Sequence, residues 1–292
     1  MNNILKTTVV AGFAAMLGSA SLMAQEAAAP AAAPAQECQK AWTKPSLDDL
    51  KASVSVGYES MYIFRGKAQT IDNIQASLDI GYAVTDALGI YGGVWHNSPL
   101  SEHAGAGDWT DTQLSAGVTY GVAGFIFDAG YTSYWYNGAR PSFNSTNEVK
   151  AGVLYDTSAI LGKYLGGATI VPSAYYYYDF DRMSNTVEVA ISASLPVSKW
   201  AFGKDFLSVE ASVFYGYLTE DRQNFLGDLA RETNSYNYVG VTADLVWKVN
   251  DICAVKGGVR WAANDDGDKY GRNQYFYSDN NLWWGMSVVI GF

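Results

Sequence analysis

Large apolar side chains stand at every second position of the last eleven residues, Leu282–Phe292. A period of two with one apolar face predicts a β-strand that meets different surroundings on its two sides. A tilted strand of about 9–11 residues is long enough to cross a bilayer as part of a closed barrel. This segment therefore predicts a membrane-crossing strand, provided that the same pattern recurs along the chain.

The pattern does recur, and the chain holds twelve candidate strands. They are Ala52–Arg65, Asn73–Tyr82, Leu88–Asn97, Asp111–Tyr120, Gly124–Tyr136, Asn147–Asp156, Thr169–Phe180, Thr186–Leu195, Phe206–Leu218, Tyr236–Trp247, Ile252–Ala262 and Leu282–Phe292. The third strand has large apolar residues on both phases, so its two faces cannot be assigned. We predict an all-β fold, a transmembrane antiparallel up-and-down β-barrel of twelve strands, with ten or fourteen as alternatives.

The connections between these strands alternate in length, which is typical of outer-membrane barrels. Those after even-numbered strands are mostly short and those after odd-numbered strands mostly long. Short periplasmic turns, long outer loops and an even strand count predict that both termini are periplasmic. The connections 157–166 and 196–205 are exceptions, because they are long on the side where short turns are expected.

The first residues predict export. Lys6 precedes an apolar run that ends before Gln25, which indicates a signal peptide over residues 1–24. A retained transmembrane helix is the alternative, but the run is short and rich in small residues. Residues 25–51 are interpreted as an Ala/Pro-rich periplasmic linker with a short helical turn near its end. Residues 52–292 are predicted to form the barrel, which would lie in the bacterial outer membrane.

Composition agrees with a barrel. Aromatic residues make up 14% of the chain, yet the mean hydropathy is −0.05, because barrels mix lipid-facing apolar residues with polar lumen-facing ones. Loss of Lys6 with the signal peptide takes the net charge from −10 to −11, which argues against nucleic acid or anionic lipid as a partner. The expected partners are outer-membrane lipid, the barrel-assembly machinery, and small hydrophilic solutes or ions.

Charged residues in the middle of strands fall on the non-lipid phase, because a charge at the lipid midplane costs several kcal/mol. Two interpretations stay open: these side chains line a water-filled pore, or they form a salt-bridge network that fills a narrow barrel. If they line water, seven acids against three bases favour cations. The pore-lining candidates, with Arg65 at a strand end, are Glu59, Arg65, Asp79, Asp128, Glu148, Lys150, Glu188, Glu210, Asp244, Lys256 and Arg260.

A motif near the end of the first strand resembles a known family. Residues Tyr62–Thr70, which read Tyr-Ile-Phe-Arg-Gly-Lys-Ala-Gln-Thr, are similar to the Tyr-x-Phe-Arg-Gly-x-Ser/Thr-Gln signature of the TorF-type porin family. The likeness extends from Val54 to Tyr155, with departures at Lys67-Ala68 and at His96. The resemblance implies an outer-membrane barrel with a porin-like role.

Two terminal features carry further predictions. A last strand that ends in Phe resembles the assembly signal of outer-membrane barrels, and this resemblance assigns that role to Gly285, Val288, Ile290 and Phe292.

Cys38 and Cys253 are predicted to lie on the periplasmic side, where exported cysteines are more often paired than free. A disulfide between them would tie the linker under the barrel, and two separate thiols are the alternative.

Catalytic patterns are weak in this sequence. His96-Asn97-Ser98 superficially resembles the His-x-Ser pair of outer-membrane phospholipases, and an ordinary loop start is the alternative. Asn264–Asp268 lacks the terminal Glu of a calcium loop, and two His with two Cys do not form an ordinary zinc site. We therefore expect that the protein is not an enzyme and needs no cofactor or metal ion.

The predicted function is passive diffusion of small hydrophilic solutes, with a non-conducting surface adhesion or structural barrel as the alternative.

Overall fold

The computed structural model describes residues 50–100, 110–137, 145–162, 164–221, 233–265 and 280–291. Twelve antiparallel strands follow one another and close into a barrel, because β1 pairs with both β2 and β12. The strands are β1 (Leu50–Phe64), β2 (Lys67–Ala83), β3 (Leu88–Pro99), β4 (Thr110–Val122), β5 (Phe125–Asn137), β6 (Ser145–Tyr155), β7 (Thr169–Asp179), β8 (Ser184–Leu195), β9 (Leu207–Asp221), β10 (Thr233–Lys248), β11 (Cys253–Asn264) and β12 (Asn280–Gly291). The predicted fold class and strand number are confirmed.

β1 begins and β12 ends at the same end of the barrel, which we call the base; the opposite end is the top. Two short helices, α1 (Ser158–Leu161) and α2 (Val197–Phe202), lie in the β6–β7 and β8–β9 connections at the base. These are the two connections that are longer than the sequence pattern predicts for the base, whereas residues 181–184 are the exception that is shorter than predicted for the top. Among the described residues, no helix is long and apolar enough to cross a membrane.

The outer surface of the barrel is apolar. In β4, for example, Leu114 and Val118 are exposed while Gln113 and Thr119 are buried inside. The alternation also resolves the faces of β3, because Ile90 and Val94 are exposed and Trp95 is buried. Exposed aromatic rings stand near both ends: Tyr120, Phe125 and Trp247 towards the base, and Trp135, Tyr217 and Trp284 towards the top.

Small residues on the inner face make room for the large side chains that fill the barrel. Any Cβ at Gly152 would overlap the ring of Tyr175, and any Cβ at Gly216 would overlap the ring of Tyr238. Rings on one strand therefore pack over bare backbone on the next, which is how a barrel of twelve strands encloses a dense interior.

The largest boundary error of the sequence analysis is at β2, which begins at Lys67 rather than Asn73. Arg65 and Gly66 form a two-residue turn with φ of 49° and 75°, the conformation of a tight hairpin. The pairing register of β1 with β2 then shifts between Tyr62 and Ile63, which interrupts the alternation that the sequence analysis relied on.

The N-terminal prediction is corrected only at its edge. Leu50 and Lys51, which were assigned to the linker over residues 25–51, are the first two residues of β1. The signal peptide, nearly all of the linker, Cys38 and Phe292 lie outside the described residues.

Candidate functional site

The polar lumen is the candidate site, and the predicted charged residues point into it. All of them except Asp79 are buried, and Asp79 is partly exposed. For the residues within strands, the inward orientation follows from strand phase, because the neighbouring positions point outward and are mostly apolar; Arg65 lies instead in the turn after β1. The structure brings most of them together in three ion-paired groups.

The first group consists of side chains from β1, β9, β10 and β11. The guanidinium of Arg260 is 3.1 Å from the Glu59 carboxylate and 3.2 Å from the Asp244 carboxylate. The ammonium of Lys256 is 2.7 Å from the Glu210 carboxylate. The inner walls of these strands are therefore tied together by buried charges as well as by apolar packing.

The second group is centred on Asp128. Its carboxylate is 3.0 Å from the ammonium of Lys150 and accepts hydrogen bonds from the hydroxyls of Tyr91 at 2.8 Å and Tyr175 at 3.2 Å. Glu188 accepts a hydrogen bond from the Tyr238 hydroxyl at 2.9 Å. Several hydrogen-bond donors around a buried carboxylate offset the free-energy cost of removing it from water.

The third group contains the β1–β2 hairpin. Arg65, at the tip of the hairpin, donates to Glu148 on β6 at 2.7 Å. Since β6 lies across the barrel from β1, the side chain at the tip reaches the opposite wall. Burial would lower the pKa of Arg65, but the Glu148 carboxylate beside it raises that pKa well above its ordinary value. Arg65 is therefore charged wherever the protein is folded.

The rest of the hairpin tip contacts the wall formed by β10 and β11. The carbonyl oxygen of Gly66 accepts a hydrogen bond from the Asn264 side chain at 2.8 Å, and a Cβ at Gly66 would be only 2.5 Å from Cβ of Tyr238. The ammonium of Lys67 lies 4.0 Å from the centre of the Tyr236 ring. The tip of the hairpin thus bridges two walls and closes the top of the lumen.

Aromatic side chains pack beneath this tip. Tyr62, Trp95, Tyr134, Tyr136, Tyr175 and Tyr177 form one buried cluster, with Phe64 packed against it. The hydroxyl of Tyr62 donates to Asp111 at 2.9 Å, and that of Tyr134 donates to Glu148 at 3.2 Å. The ring centre of Phe64 lies 6.0 Å from that of Tyr134. We call this aromatic layer, which is held by hydrogen bonds to carboxylates, the plug.

In its basal half the lumen is lined by small polar side chains as well as by the Asp128–Lys150 and Glu210–Lys256 ion pairs. Partly exposed serines face inward there: Ser55, Ser77, Ser115, Ser192, Ser212 and Ser287. Asp79 lies among them and accepts a hydrogen bond from Ser77 at 3.1 Å. No ion pair of Asp79 occurs within the described ranges. We call this region the serine vestibule.

A cavity of about 20 Å³ lies where the vestibule meets the plug, which is room for roughly one water molecule. It is lined by Ser55, Gly57, Glu59, Gln75, Trp95, Arg260 and Ser287. The cavity thus lies between inward-facing serines and the buried Glu59–Arg260 ion pair.

Sequence analysis missed the aromatic members of the plug. Tyr134 and Tyr136 share the strand phase of Asp128, Gly130 and Thr132, so the alternation of β5 was a usable signal. Trp95 was missed because β3 has large residues on both faces. The partner of Arg65 lies 83 residues away, and strand periodicity carries no information on that pairing.

The other predicted sites have these positions. Val288 and Ile290 are exposed on the outer face of β12, whereas Gly285 faces inward against the Glu59 carboxylate. Cys253 opens β11 at the base, opposite Ile290. The disulfide with Cys38 and the assembly role of Phe292 involve residues outside the described ranges.

The weak catalytic pattern falls on β3. The ring Nδ1 of His96 is 2.8 Å from the hydroxyl of Thr112, and His96 shares the outward phase of Ile90 and Val94. Within the part of the chain that the structure describes, no cluster of three or more His, Cys, Asp or Glu could hold a metal ion.

Comparison with known families gives one match. The sequence profile of a family described as a bacterial protein of unknown function, Gcw_chp, matches residues 46–202. This is more than half of the chain. No curated protein matches it.

Solved barrels resemble this structure at low sequence identity. The COG4313 outer membrane channel from Pseudomonas putida F1 is 13% identical with a TM-score of 0.48, over 88% of this chain and 100% of that chain. LpxR from Salmonella typhimurium is 9% identical with a TM-score of 0.46, over 82% and 99%. OmpT of Vibrio cholerae is 10% identical with a TM-score of 0.38, over 84% and 97%.

Proposed function

We propose that this chain, which belongs to the bacterial family of unknown function Gcw_chp, is an outer-membrane channel for small hydrophilic solutes. In the conformation described here the β1–β2 hairpin closes it. The observation that carries the proposal is the asymmetry of the lumen: partly exposed serines and Asp79 face it in its basal half, whereas the hairpin and the aromatic plug occupy its top.

The outer surface supports a membrane location. Apolar side chains are exposed around the barrel, among them Val56, Leu78, Phe127, Val189 and Leu245. In water such a surface would aggregate, whereas in a bilayer it faces the acyl chains. A closed barrel also satisfies its backbone hydrogen bonds between strands, as a bilayer requires. The apolar start of the sequence, interpreted as a signal peptide, would deliver the chain for export.

The base would face the periplasm in this proposal. Both β1 and β12 reach it, so an exported linker that precedes β1 would remain on that side. The assembly machinery would read β12, which ends at the base, and the role of Phe292 stays a prediction. Solutes would enter from the periplasm through the serine vestibule and from outside past the hairpin.

A weak preference for cations is part of the proposal. Asp79 adds a partly exposed carboxylate to the vestibule, whereas the bases Lys150, Lys256 and Arg260 are each paired with carboxylates. Unpaired negative charge in a polar constriction favours cations over anions.

A non-conducting barrel is the second candidate, and one observation favours it. Ion pairs inside the lumen, such as Lys256–Glu210, are almost completely buried, as in an interior that is permanently filled. Such a protein would act through its outer loops as a surface adhesion or structural protein.

Liposome swelling in solutes of graded size separates the two candidates. The wild-type protein and Arg65→Asn should both admit small hydrophilic solutes, and the variant should swell vesicles faster. Asn tolerates the positive φ of that position, so the substitution removes the ion pair without opposing the turn. Swelling equal to that of protein-free vesicles for both proteins would reject the channel and favour the non-conducting barrel.

A further inference from the structure

The base of the barrel has an exposed apolar surface that the channel does not use. It is formed by the β6–β7 and β8–β9 connections over residues 156–162, 164–168 and 196–206, which we call the basal foot. Six large apolar side chains of the foot are exposed, by 37% to 85%: Ile160, Tyr164, Leu165, Trp200, Phe202 and Phe206.

The foot is held firmly on the barrel. In α2, the buried hydroxyl of Ser198 accepts hydrogen bonds from the backbone N–H groups of Phe206 at 2.9 Å and Leu207 at 2.8 Å. It also donates to the carbonyl of Leu207 at 3.0 Å. In the neighbouring connection, the hydroxyl of Thr157 donates to the carbonyl of Ile170 at 2.7 Å. The exposed rings are therefore displayed by fixed backbone.

The two connections also contact each other. The indole N–H of Trp200 donates to the carbonyl of Gly166 at 3.1 Å, and Phe202 stacks on Phe206 with ring centres 6.2 Å apart. The two segments thus present one shared apolar surface.

This surface continues into the apolar exterior of the barrel. Above α2, Leu195 pairs with Val209, and Ile191 pairs with Val213. Ile191 and Val213 are exposed on the outer face by 52% and 45%. A bilayer that surrounds the apolar exterior of the barrel would therefore also reach the foot.

Two cations stand at the edge of the foot. Lys199 and Lys204 are exposed, and neither forms an ion pair within the described ranges. The nearby carboxylate of Asp205 is already 2.7 Å from the Lys248 ammonium. Although the whole chain is acidic, these two ammonium groups form a local basic edge beside exposed Trp, Tyr and Phe rings.

We infer that the basal foot is a phospholipid-binding surface, which seats its rings among the headgroups of the leaflet next to the base. Lys199 and Lys204 bind the lipid phosphates. Amphipathic rings prefer this depth of a bilayer, and lysines beside them add attraction to phosphate. The inference rests on the proposed membrane location, but not on conduction.

Water access to the foot tests this directly. In a background with Cys38→Ser and Cys253→Ser, Phe202→Cys is labelled with the fluorophore NBD, and the protein is placed in phosphatidylethanolamine–phosphatidylglycerol nanodiscs. Aqueous dithionite should reduce this label about tenfold more slowly than the same label at Asp86→Cys. Asp86 is exposed in the β2–β3 turn at the same end of the barrel, so it is the matched control.

The lysines are tested in the same labelled protein. Lys199→Gln with Lys204→Gln should speed reduction, whereas Lys51→Gln should not, because β1 lies across the barrel from β7. Equal reduction at positions 202 and 86 would overturn the inference, and so would protection that depends on the ratio of protein to lipid, which indicates a second copy. Protein that never enters nanodiscs would overturn the membrane location as well, whereas a non-conducting barrel with a protected foot would reject only the channel.

Discussion

At the residue scale, the turn at Arg65 and Gly66 has two functions. It reverses the chain in two residues, and it places a guanidinium in the lumen against Glu148. Gly66 is required for both conformation and space, because its φ is 75° and Tyr238 leaves no room for a side chain. Arg65 and Gly66, which lie in the middle of the motif Tyr62–Thr70, are thus the residues that close the barrel.

The first prediction concerns Gly66→Ala. A left-handed conformation costs an L-residue about 1–2 kcal/mol, and the close approach to Tyr238 should add to this. Gly203→Ala is the matched control, since Gly203 has a φ of 71° but nothing within 4 Å of its Cβ position. Urea unfolding in detergent micelles should show a larger loss of stability for Gly66→Ala, and equal losses would mean that the hairpin is not packed against β10.

The second prediction concerns Asp79 in the serine vestibule. Asp79→Asn should reduce the preference for cations, measured as a smaller reversal potential in a KCl gradient. This residue is a cleaner choice than Glu210, because neutralising Glu210 would leave the buried ammonium of Lys256 without its partner. A reversal potential unchanged by Asp79→Asn would show that the vestibule does not select ions.

At the element scale, side chains tie together strands that are not hydrogen-bonded neighbours. Lys256 on β11 reaches Glu210 on β9, past β10. Removing one partner of a buried pair typically costs about 3–5 kcal/mol, because the other charge is left uncompensated.

A double-mutant cycle measures this coupling. Lys256→Met should be strongly destabilising in urea unfolding, and adding Glu210→Gln should recover part of the loss. The exposed pair Lys248–Asp205 is the control, where the coupling should be about 0–1 kcal/mol. Equal coupling in both pairs would mean that water reaches the lumen pair freely.

The elements were predictable from the sequence where alternation is unbroken. β8 and β12 have one apolar phase, because one face meets apolar surroundings and the other a polar lumen, and their predicted positions are within two residues of the observed ones. The start of β2 was missed because Asp72 has a φ of 51° and the register shifts. The foot and the plug depend on contacts between distant segments, which periodicity cannot encode.

At the scale of the whole molecule, the barrel is a polar tube with two different ends. The base holds the serine vestibule and the basal foot, and the top is closed by the β1–β2 hairpin over an aromatic layer. This polarity gives the channel proposal its mechanism: conduction requires the hairpin to leave the wall formed by β10 and β11, and the Arg65–Glu148 ion pair opposes that movement.

Single-channel recording in planar bilayers tests this central claim most directly. Arg65→Asn should spend several times longer in conducting states than the wild type, because the ion pair to Glu148 no longer holds the hairpin across the lumen. Lys248→Gln, which breaks an exposed ion pair at the base, should behave as the wild type. Silent bilayers for all three proteins, despite verified insertion, would contradict the claim that the hairpin closes an otherwise conducting lumen.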